Sequence, residues 1–65
     1  MPGAISFTLT FATDELARKF VQRVHHTFAV PTLRYDKLVH VIVENTTDLR
    51  SILVVGREFG GEGGA

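Results

Sequence analysis

The sequence predicts one small α/β (α+β) domain with a strand–helix–strand core. Residues 4–11 alternate apolar and polar, residues 16–28 repeat apolar side chains every four positions, and residues 38–44 form a β-branched run. The first pattern has the period of a strand with one buried face, the second that of an amphipathic helix. At 65 residues the chain holds one domain at most. The single domain is expected over residues 1–59, with residues 60–65 as a flexible glycine-rich tail.

In the first strand Ile5, Phe7, Leu9 and Phe11 oppose Ser6, Thr8 and Thr10. Thr13-Asp14-Glu15 then reads as a helix start, with a hydroxyl to cap the first amides and acids in the first turn. Leu16, Phe20, Val24 and Phe28 make the apolar stripe, and Pro31 blocks any continuation. In the second strand Val39, Val41 and Val43 lie on one side, and Leu38 and Ile42 flank His40 on the other. A strand apolar on both faces is ordinarily central and covered from both sides. One helix covers one face only, so the other face calls for a further layer, expected to be another copy of the chain. The link from the helix into this strand suits a right-handed parallel crossover.

The last segment supports two readings. Leu49, Ile52, Leu53, Gly56 and Phe59 form a helical stripe after an N-cap at Thr46 or Thr47. Equally, Ile52-Leu53-Val54-Val55 is a short strand-like run closed by Gly56.

Composition excludes several classes. The hydrophobic share of 45% is that of a globular chain. Without cysteine, disulfides, thiolate metal sites and thiol nucleophiles are ruled out. Acidic and basic residues balance, so no strong field draws nucleic acid or a membrane surface. There is no apolar run of the roughly 20 residues that a membrane span requires, and no signal-peptide pattern. A cytoplasmic protein with no metal and no cofactor is the expectation. His25 and His26 are adjacent on the helix and diverge by about 100°, which keeps them from sharing a metal. Arg18, Lys19, Arg23 and His26 form a basic helix face, with Asp14–Arg18 and Glu15–Lys19 spaced as stabilising i,i+4 pairs.

Chemistry centres on Pro2. Removal of Met1 would leave a secondary amine at the chain end. A terminal amine titrates near 7.7–8.0 in water and lower when buried, within the working range of a general base.

A Met-Pro start entering a strand, a Thr-Asp-Glu helix opening, Phe20, Val21, Val24 and Phe28 on that helix, and Val39-His40-Val41-Ile42-Val43-Glu44 follow in order. From Pro2 through Glu44 this order resembles the 4-oxalocrotonate tautomerase family, and residues 52–56 resemble its later aromatic-x-x-Gly-Gly segment. The resemblance implies a β-α-β tautomerase-like subunit with a C-terminal β-hairpin or short strand, assembled as a hexamer. It implies an isomerase with Pro2 as catalytic base acting on unsaturated keto acids. His40, Arg34 and Ile52 would be substrate-binding, with Arg50 and Arg57 as further arginines. At two arginine positions of that family this chain carries Ala12 and His40. A second reading follows, a non-catalytic subunit in a hetero-oligomer with a related chain. A third takes residues 49–59 as helical and gives a small ferredoxin-like dimeric binding module, with the first strand at an exposed edge.

Overall fold

The computed structural model describes residues 4–63. Its elements are β1 (Ile5–Thr10), α1 (Asp14–Thr27), β2 (Thr32–Tyr35), β3 (Leu38–Val43), α2 (Thr46–Glu58) and β4 (Glu62–Gly63). The four strands form one sheet in the order β2-β3-β1-β4, with every neighbouring pair antiparallel. This is an α+β fold with the element order of the split, ferredoxin-like β-α-β-β-α-β arrangement.

α1 starts as its sequence dictates. The Thr13 hydroxyl accepts the Leu16 amide at 3.2 Å, and Asp14 and Glu15 occupy the first turn. Glu15 and Lys19 pair at 3.7 Å on its exposed face. At its other end Phe28 is the C-cap and Ala29 turns the chain with φ of 54°. The Ala29 amide donates to the Val24 carbonyl at 3.2 Å.

Beyond α1 the chain departs from the expected crossover. β3 does not run parallel to β1; it pairs with it antiparallel, Phe7 opposite Val41 and Leu9 opposite Val39. The crossover instead delivers the chain to β2, which runs parallel to β1 with β3 between them. A two-residue turn, Asp36-Lys37, with positive φ at Asp36, then folds β3 back onto β2. Such a hairpin places consecutive strands side by side, with no need for a second crossover.

Residues 49–59 are helical as far as Glu58, so Ile52-Leu53-Val54-Val55 is neither strand nor hairpin. The Asn45 side chain, one residue before the expected caps, accepts the Asp48 amide at 2.8 Å. Burial settles what periodicity left open: in a helix, Ile52 and Gly56 share the face turned to the sheet. Among the described residues, strand character after α2 is confined to β4. The glycine-rich stretch is built into the fold as far as Gly63, because β4 pairs with Leu9 and Thr10. Gly61 makes that return path possible: a Cβ there would lie 2.8 Å from the Phe11 ring.

Both helices cover the same side of the sheet. Phe7 and Leu9 from β1, Val39, Val41 and Val43 from β3, and Phe11 meet Ala17, Phe20 and Val24 of α1 and Ile52 of α2. Phe20 is the hub, 5.0 Å from the Phe11 ring and 6.4 Å edge-on from Phe59. The Arg23 guanidinium lies 5.9 Å from the Phe59 ring centroid, which gives one residue of the basic face a packing role.

Candidate functional site

Among the described residues, the opposite side of the sheet has no helix on it. Residues directly opposite one another in an antiparallel ladder share a face, so the register defines this surface. Leu33 lies beside His40 and Thr8, Tyr35 beside Leu38 and Thr10, and Ile42 beside Ser6. Leu33 is 70% exposed, Tyr35 79%, Leu38 41% and Ile42 37%. Only one other large apolar side chain among the described residues is comparably exposed, Val54 on α2. The second face that the valine-rich strand led us to expect under cover is therefore bare in the single chain.

β2 accounts for half of this exposed patch. Its alternation is inverted relative to its neighbours: Thr32 and Arg34 share the helix side with Val41 and Val39, while Leu33 and Tyr35 point to the open side. Four residues of alternating sequence without a buried face carry little strand signal. The two-residue turn after Tyr35 was the one local cue that could have revealed it.

His40 sits within the patch. Its Nδ1 is 3.0 Å from the Thr8 hydroxyl, across the β1–β3 ladder. This contact holds the ring beside the hydroxyl row of β1, on the face that also carries Leu38 and Ile42 and opposite Leu33 in the register.

The residues expected to bind a substrate are not brought together. Pro2 lies outside the described residues. Ile52 is fully buried on the helix side of the sheet, in the core beneath α2. Arg34, on the edge strand β2, donates to the Asp36 carbonyl at 3.1 Å and so braces its own turn. His40 is on the open face, with the thickness of the sheet between it and Ile52. Arg50 and Arg57 both belong to α2. Arg57 borders a cleft of about 280 Å³ with Leu9, Leu53, Gly61, Glu62 and Gly63. The C-terminal segment implied by the tautomerase resemblance is replaced by a helix, and β1 and β3 lack the parallel relation.

Of the other clefts, one of about 280 Å³ on α1 is bordered by Glu15, Arg18, Lys19 and Gln22, and one of about 270 Å³ by Glu44, Asn45 and Asp48 among apolar neighbours. The one between α1 and β2, about 490 Å³, is lined by His25, Ala29, Val30, Pro31 and Thr32. His25 is its single titratable side chain, and its Nε2 is 2.6 Å from the Thr32 hydroxyl, tying the last turn of α1 to β2. Among the described residues there is no buried charged or polar side chain and no group of three side chains suited to hold a metal. No helix among them is long and apolar enough to cross a membrane. No protein-family model, curated protein or solved structure matches this chain.

Proposed function

We propose that this chain is a small ferredoxin-like binding module that docks a protein partner on the open face of its sheet. The observation that carries this reading is the cluster of Leu33, Tyr35, Leu38 and Ile42 on one uncovered surface. Apolar patches beyond a few hundred Å² are uncommon on monomers and mark interaction sites. At 150–250 Å² for a large aromatic side chain, these four residues together expose on the order of 400 Å². A catalytic reading needs polar groups converging on a sheltered cavity, whereas Glu15, Arg18, Lys19 and Glu44, which border clefts here, are exposed surface residues. The tautomerase reading rests on the resemblance alone, with Pro2 as its base.

Hydroxyl-radical footprinting tests the proposal, because it reports the solvent accessibility of individual side chains. In the native assembly purified from its host, Leu33 and Tyr35 are expected to lose reactivity relative to the dilute chain, while Val54 keeps its own. Equal reactivity at Leu33, Tyr35 and Val54 in both states would refute a docking role for this face. Turnover of an unsaturated keto acid that is abolished by Pro2→Ala would support the enzyme reading instead.

A further inference from the structure

We propose that the occupant of the open face is a second copy of the chain, stacked face to face so that β2 of each copy lies over β3 of the other. The inference rests on reading this face as a docking surface, and three features select the partner.

The first is charge. Across β1, β2 and β3 the open face presents Ser6, Thr8, Thr10, Leu33, Tyr35, Leu38, His40 and Ile42, with no arginine, lysine or carboxylate among them. Glu62 on β4 stands at the margin, beside Thr10. Arg34 shares its row with Val39 on the other side of the sheet, and the remaining cations lie on the helices or, as Lys37, in the turn. Nucleic acid and anionic lipid both require cations at the contact. An uncharged face, by contrast, meets its own copy without repulsion.

The second is the division of the face. Its apolar members occupy β2 and β3, and its hydroxyls occupy β1. A two-fold axis parallel to the strands, between β2 and β3, lays the apolar half of one copy on the apolar half of the other. The Ser6-Thr8-Thr10 row of each copy then falls outside, giving an apolar centre with a polar rim. Leu33 and Tyr35, which stand highest, come to rest on the Leu38–Ile42 strand of the other copy.

The third is area. The stack lays β2 and β3 of each copy on those of the other, a footprint of roughly 10 by 20 Å. Leu33, Tyr35, Leu38 and Ile42 carry on the order of 400 Å² of exposed surface there, so covering them on two copies removes on the order of 800 Å², the size of a weak, reversible interface. Two sheets stacked in this way complete a layered α–β–β–α body, with the second apolar core that the valine strand lacks in one copy.

Tyr35 is the only tyrosine and there is no tryptophan, so intrinsic fluorescence reads this residue alone. The test combines sedimentation equilibrium with acrylamide quenching of Tyr35 from about 1 to 300 µM, the span in which a weak, reversible interface associates. The wild type is expected to reach twice the 7.2 kDa chain mass, with Tyr35 quenching falling over the same range. The variant L33E/Y35E is expected to weaken association by about 100-fold or more, read by sedimentation. Its far-UV circular dichroism stays unchanged, since both side chains are exposed in the single chain. V54E is the control and leaves the dimer intact. A chain that stays monomeric, with Tyr35 fully quenchable throughout, overturns the second-copy proposal and leaves the face open for a different protein. A dimer that survives L33E/Y35E but is broken by V54E overturns both the proposal and the docking role of the face.

Discussion

Gly56 is in the interior of α2, and its replacement by alanine sets two well-characterised effects against each other. In an exposed helix the change stabilises by about 0.8–1.0 kcal/mol, because alanine has the higher helix propensity. Here the new Cβ would lie 2.6 Å from Leu9 Cδ1 and 3.5 Å from the Phe20 ring. Leu9 and Phe20 are both buried, so relieving the contact means turning the leucine out of the core toward the cleft it borders with Leu53 and Arg57, at the loss of its packing. Overpacking of this kind costs about 1–3 kcal/mol. The steric cost outweighs the propensity gain, and Gly56→Ala is expected to destabilise by about 1 kcal/mol. In a domain of this size that lowers the midpoint by about 4–8 °C, measured by thermal circular dichroism at fixed protein concentration. Leu9→Val removes the colliding Cδ1 atom. In that background Gly56→Ala should change sign and stabilise, a coupling on the order of 1–2 kcal/mol in a double-mutant cycle. A higher midpoint for Gly56→Ala alone would show that α2 does not approach the sheet this closely and would refute the packing described.

Two further substitutions examine other elements. Ala29→Gly is expected to raise stability by about 1 kcal/mol in urea unfolding, because the φ of 54° at Ala29 burdens any residue with a Cβ; a loss of stability would contradict the left-handed C-terminal turn of α1. Ile52→Val is expected to lower stability by about 0.5–1.5 kcal/mol, since Ile52 is fully buried in the core. A surface contact for a small molecule would tolerate that change with no shift in midpoint.

Much of the architecture was legible in the chain because its signals are local. The alternation through Phe7 and Leu9 defined β1, the Thr13 hydroxyl and the stripe through Phe20 and Val24 defined α1, and the valines at 39, 41 and 43 defined β3. β2 was hidden because Leu33 and Tyr35 face away from the core, leaving Thr32 and Arg34 on the side where apolar residues were sought. The helix over Ile52-Leu53-Val54-Val55 was open to either reading because four consecutive apolar residues fit both periods. The site followed the same division. His40 could be placed with Leu38 and Ile42 on one strand face from sequence alone, whereas its β2 neighbours Leu33 and Tyr35 and the separation of Ile52, Arg34 and His40 could not.

The sequence by itself determined that these residues make a cysteine-free α+β fold, that its first strand and first helix bury Phe7, Leu9, Phe20 and Val24, and that its valine-rich strand is apolar on both sides. Those properties depend on residues within one element of each other, where periodicity and capping act directly. Tertiary structure alone decided that β1 and β3 are antiparallel neighbours, that α2 is a helix, and that the Leu38–Ile42 side of β3 is bare. Each of these depends on which distant segment a strand meets. Backbone hydrogen bonding accepts either strand direction, and an apolar run accepts either a strand or a helix. The choice is made by side-chain packing across the sheet, with Ile52 and Gly56 brought down onto Leu9 and Phe20.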